Sequence, residues 1–85
     1  MEVLTLHFVN NGGFHEIKFE INFGPKNERP HCEVLEHNEV VAVIWLDSLT
    51  FESNKLSPAI SKKVLAWASR QHEELLEAYK KARRW

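Results

Sequence analysis

Residues 14–23 read Phe-His-Glu-Ile-Lys-Phe-Glu-Ile-Asn-Phe. Ile17, Phe19, Ile21 and Phe23 alternate with Glu16, Lys18, Glu20 and Asn22. A period of two, with one apolar and one polar row, is the pattern of an antiparallel strand that buries one face. Upstream, residues 2–9 place Leu4, Leu6 and Phe8 on one face of another strand. Between the two stands Asn10-Asn11-Gly12-Gly13, a run that accepts positive φ. The two segments therefore form a hairpin.

Downstream, Gly24, Pro25 and Pro30 break both ladders, so residues 24–30 form a loop. Residues 31–36 read as a third strand, His37-Asn38 as a tight turn, and residues 39–46 as a fourth strand. The run Val40, Val41, Ala42, Val43, Ile44, Trp45 is apolar on both faces, which marks an inner strand. Residues 49–51 add a short fifth strand after Asp47-Ser48. Ser57-Pro58 then opens a helix, with Ser57 as N-cap and Pro58 at the first helical position. Ile60, Val64, Trp67, Ala68, Leu75, Leu76 and Tyr79 fall near helical spacing, which makes Trp67 and Tyr79 core residues. Residues 58–84 span 27 positions, about 40 Å of helix. That length predicts either a kink near Ser69-Arg70-Gln71 or an end projecting past the sheet. Strands followed by helix predict an α+β fold: a meander of four or five antiparallel strands and one long or kinked C-terminal helix on one sheet face.

The chain has 85 residues, 44% hydrophobic and 27% charged, which fits one globular domain, strand-rich over 1–54 and helical over 55–85. A chain this short buries only about 60–65% of its unfolded surface, so a partner or a second copy helps to stabilise it. Cys32 is the only cysteine, so no intramolecular disulfide forms. There is no secretory leader and no apolar run of membrane-spanning length, so a cytoplasmic location without membrane contact is expected. Residues 1–54 hold three basic and nine acidic residues, a net of −6; residues 55–85 hold eight basic and three acidic, a net of +5. Such a split marks an electrostatic partner surface or, more plainly, solvated faces.

Arg29-Pro30-His31-Cys32-Glu33-Val34 resembles the Pro-His-x-His-Val signature of a small bacterial family, domain of unknown function 4160. Residues 42–49 resemble that family's following strand. Leu56-Ser57-Pro58, Val64, Trp67-Ala68, His72, Glu74-Leu75-Leu76, Tyr79 and Ala82-Arg83 resemble its helical stretch, so the likeness covers residues 29–85. Glu33 stands where the family has its second histidine, and Cys32 where it has an aromatic residue, so the family's histidine pair is not present here. The resemblance brings no activity. It implies a setting in toxin–antitoxin-like or mobile-element gene pairs.

Three places carry candidate function. His31 and Glu33 share one strand face and could act as an acid–base pair, while the plainer reading has His31 bonded to backbone after Pro30. Zinc needs at least three protein ligands, and His7, His15 and His37 show no tight spacing to His31, so no metal and no cofactor is expected. Cys32 points to the opposite face from His31 and reads as a buried hydrophobe. Second, Lys80, Lys81, Arg83 and Arg84, flanked by Tyr79 and Trp85, could hold nucleic acid; their plainer role is to complement the helix C-terminus. Third, one helix covers one sheet face, leaving either Val41, Val43 and Trp45 or Val40, Ala42 and Ile44 on the other, for a protein partner or a homodimer.

No phosphate loop, Gly-x-Ser-x-Gly, Cys-x-x-Cys or His-Glu-x-x-His occurs. The sequence therefore leans away from an enzyme. It points to a protein-interaction or regulatory domain, one half of a toxin–antitoxin-like or mobile-element pair. An RNA-binding or RNA-cleaving toxin using His31 and Glu33 is the alternative, and an acidic mimic of nucleic acid a third reading.

Overall fold

A computed structural model describes residues 2–22 and 28–82. Among these residues five strands form one antiparallel sheet in sequence order: β1 (Glu2–Asn10), β2 (Gly13–Ile21), β3 (His31–Glu36), β4 (Glu39–Trp45) and β5 (Thr50–Asn54). Two helices follow, α1 (Pro58–Arg70) and α2 (His72–Ala82). The architecture is the α+β meander that the alternation predicts.

Local chemistry closes the turns. Asn11 and Gly12 both have positive φ (53° and 76°), as a two-residue type I′ hairpin requires. His37 and Asn38 do the same at 54° and 64°. Neither is glycine, so this turn holds two side chains in the left-handed region at a steric cost. Replacing the pair by Asn-Gly, the preferred type I′ dipeptide, should stabilise the chain by about 0.5–1 kcal/mol. Thermal unfolding checks it, with an expected rise in Tm of about 2–8 °C for a domain of this size.

The buried face of the sheet carries Ile17, Phe19 and Ile21 from β2, Cys32 and Val34 from β3, and Ala42 and Ile44 from β4. Ile60, Val64 and Ala68 of α1, with Leu75, Ala78 and Tyr79 of α2, close over it. Trp67 stacks on Phe19 with ring centroids 4.5 Å apart. Tyr79 is thus a core residue, as its spacing predicts, and Trp67, half-buried, packs against the core.

The helix bends where the sequence turns polar. Ser57 accepts from the Ile60 N–H at 3.3 Å, and Pro58 takes the first helical position. Gln71 leaves helical geometry (φ −102°, ψ 17°), although its N–H still reaches the Trp67 carbonyl at 3.0 Å. The His72 Nε2–H donates to the Leu46 carbonyl at 2.5 Å, pinning the start of α2 to the end of β4. The kink lets both halves follow the sheet.

Two register shifts depart from simple alternation. Leu35 pairs with Val40 but Val34 pairs with Ala42, so Val41 is an extra residue in β4. Val43 pairs with Ser53 but Ile44 with Phe51, so Glu52 is the extra residue in β5. The fifth strand also runs later than expected, over Thr50–Asn54 instead of residues 49–51. Leu49 has φ 56° and donates its N–H to the Trp45 carbonyl, so it closes the turn and does not join the strand.

Candidate functional site

The chemistry-bearing side chains gather on the sheet face turned away from the helices, at the end where β3 begins and β4 ends. Pro30 delivers the chain to β3, and its carbonyl accepts the Leu46 N–H at 2.9 Å. Just before it, the Arg29 guanidinium lies over the Trp45 ring, 4.1 Å from the centroid. Its Nε and Nη2 donate to the two Asp47 carboxylate oxygens at 2.9 and 3.0 Å. These bonds hold the Asp47 carboxyl below its usual range. Their stabilisation is therefore present above the ordinary carboxylate pKa and lost as pH falls through the depressed value.

His31 and Glu33 do lie on the same face. The His31 Nδ1–H donates to the Arg29 carbonyl at 3.0 Å, the backbone role open to it from the sequence. Its Nε2 is 3.8 Å from a Glu28 carboxylate oxygen. Its ring meets Trp45 and Tyr79 edge-on, with centroids 6.1 and 6.0 Å away. Glu33 instead accepts from the Asn22 side-chain amide at 2.5 Å. Base and carboxylate are thus neighbours, each oriented by a different partner. The Tyr79 hydroxyl donates to the Glu28 carbonyl at 2.8 Å, tying α2 to the approach to β3.

Between these residues lies a shallow depression of about 290 Å³. Val43 and Trp45 form its apolar part, and the carboxylates of Glu28, Glu33 and Glu52 line it together with Arg29 and His31. The chain's own Arg29 occupies the indole face, and three carboxylates against this one guanidinium leave the hollow acidic on balance, which suits a further basic side chain with an apolar stem. Among the described residues no three His, Cys, Asp or Glu side chains are grouped to hold a metal ion.

Of the three apolar positions expected on this face, Val43 and Trp45 stand together. Val41 is the bulge residue and packs against the core. Val40 takes the place opposite Leu35, while Ala42 and Ile44 are buried beneath the helices. Periodicity alone could not find this shift. Arg29, Asp47 and Glu52 also escape a reading by motif, because a loop, a turn and a bulge bring them to Trp45. The one available signal was an arginine directly before Pro30-His31.

Cys32 is wholly buried on the helix side, and desolvation, helped by the nearby Glu33 charge, pushes its thiol up to about 12. The neutral thiol is therefore favoured in the fold. That preference is fully present below the unfolded value of 9.0 and is lost as pH rises through about 12. At pH 8 a thiol reagent should label the native chain only at the rate at which it opens, and the unfolded chain at once. Comparing labelling with and without denaturant checks this.

The basic candidates are divided. Lys80 and Lys81 are exposed at the end of α2. Arg83, Arg84 and Trp85 lie outside the described residues, as do Phe23 and Lys26. No helix among the described residues is long and apolar enough to cross a membrane.

Residues 16–80 match the family described as Domain of unknown function (DUF4160). No curated protein and no solved structure gives a significant match.

Proposed function

The chain belongs to the DUF4160 family, and from the geometry of its open sheet face we propose that it is a non-enzymatic protein-interaction module. The observation that carries this reading is the two-sidedness of the sheet. Both helices pack on one face; among the described residues no element covers the other. That open face presents Val43 and Trp45 beside Glu16, Glu20, Glu33 and Glu52, with Lys18 as the one lysine among them. An apolar strip edged by carboxylates favours a partner surface that is apolar and basic. Four of the nine acidic residues of residues 1–54 share this face with a single lysine, which supports an acidic docking surface.

The partner in this reading is a protein, the other member of a toxin–antitoxin-like or mobile-element pair, the setting the family resemblance implies. Affinity capture of the tagged chain from its native cells, in nuclease-treated and untreated halves, tests it. A stoichiometric basic protein should survive nuclease and elute as salt rises, because exposed charge pairs are screened. Capture of RNA with no nuclease-resistant protein would overturn the reading and return the basic end of α2 to consideration.

A further inference from the structure

Among the described residues the sheet has two free edges, and β1 is the longer, nine residues against five for β5. Natural edge strands are usually blunted by lysine, proline or a bulge, since unpaired N–H and C=O groups otherwise recruit another strand. β1 has none of these. Its register against β2 runs without a shift from Glu2 to Asn10, and Glu2, at its start, is its one charged residue apart from His7. The exposed large apolar residues also concentrate here. Val3 is 42% and Val9 63% exposed, and Phe14, paired with Val9, is 69% exposed.

We propose that β1 pairs with β1 of a second copy of this chain, antiparallel and centred on Leu6, to join two sheets into one. The strand reads Glu-Val-Leu-Thr-Leu-His-Phe-Val-Asn. About Leu6 it is self-complementary: Leu4 meets Phe8, Thr5 meets His7, Val3 meets Val9 and Glu2 meets Asn10. Apolar meets apolar and polar meets polar, with no like charges opposed. A two-fold contact requires this match of a patch with itself.

The backbone agrees with that register. In the two-residue hairpin Asn10 and Gly13 form the hydrogen-bonded pair, so the even-numbered residues of β1 spend their N–H and C=O groups on β2. Those of Val3, Thr5, His7 and Val9 point outward. Centring on Leu6 brings Thr5 against His7 and Val3 against Val9 as hydrogen-bonded pairs. Leu6 against Leu6 and Leu4 against Phe8 become the closer, non-hydrogen-bonded pairs.

The side chains gain as well. Leu4, Leu6 and Phe8 are only half-buried, because the helix layer stops short of the edge. Leu6 and Phe8 line an open groove with Ala66, beneath Lys63 and Arg70. A two-fold axis normal to the sheet keeps both helix layers on the same side and continues the half-buried row into its copy. Lys63 and Arg70 impose a like-charge cost across the seam, which physiological salt screens. β1 lies three strands from β4, so this contact and the Trp45 face are separable.

Sedimentation velocity on the full chain at physiological salt tests the proposal. The wild type should be a dimer in the micromolar range. Val3→Lys/Val9→Lys, at two exposed positions, opposes lysine to lysine and should weaken the dimer by about tenfold or more. Val3→Glu/Val9→Lys opposes glutamate to lysine in this register alone and should restore it. Circular dichroism confirms that both variants keep the wild-type fold. A monomeric wild type, a double-lysine variant that dimerises unchanged, or a Glu/Lys variant no better than the double lysine would each overturn the proposal.

Discussion

Phe19→Ala should cost about 3–5 kcal/mol of folding free energy, the range for truncating a fully buried aromatic. A chain of this length has about 4–13 kcal/mol in total, so the variant sits at or near the unfolding threshold. Phe19 is wholly buried, pairs with Leu4 and Val34 across two strand boundaries and stacks under Trp67. Its removal opens a cavity where sheet and helix meet, and rigid strands on both sides limit collapse into it. Phe14→Ala is the matched control, the same atoms deleted from the same strand at a site 69% exposed. It should change stability by no more than about 0.5 kcal/mol. Urea unfolding separates the two, with a shifted midpoint and an unchanged m-value for Phe19→Ala. Equal losses at both sites would mean that the helices do not cover the face assigned to them.

Trp45→Ala should weaken binding of the captured partner by about 2 kcal/mol or more, roughly thirtyfold, as expected for an aromatic anchor at the centre of an interface. Trp45 also carries the Arg29 guanidinium, so part of the loss comes from freeing that side chain. Glu52→Lys supplies the second arm. Glu52 is an exposed bulge residue beside Val43 and Trp45, outside the core. Reversing its charge should slow association with a basic partner and flatten the salt dependence while the fold is unchanged. Titration of purified partner against both variants is the measurement. Wild-type affinity in both would remove the open face from the interaction.

Alternation in β2, the glycine-and-asparagine turn before it and Ser57-Pro58 each act within a few positions, so the chain itself shows strand, hairpin and helix start. The polar run from Ser69 marks the kink for the same reason: a helix without apolar residues to bury has nothing to hold it straight against the sheet. Bulges are different. Val41 and Glu52 are displaced by how neighbouring strands match lengths, and no residue type announces that.

The site divides along the same line. That His31 and Glu33 share a strand face follows from a period of two and is legible in the sequence. That His31 turns to the Arg29 carbonyl, that Glu33 is held by Asn22, and that Arg29 bridges Trp45 and Asp47 are contacts between residues brought together by pairing and turns. Tyr79 reaches the Glu28 carbonyl from 51 positions away. By itself the sequence determined the α+β class, the hairpins and the apolar faces of β1, β2 and the helices, because these rest on local backbone preference and short-range periodicity. Only the tertiary structure decided which second face stays open, which valine leaves it and which carboxylates surround Trp45, because those follow from sheet register and from where the helices stop.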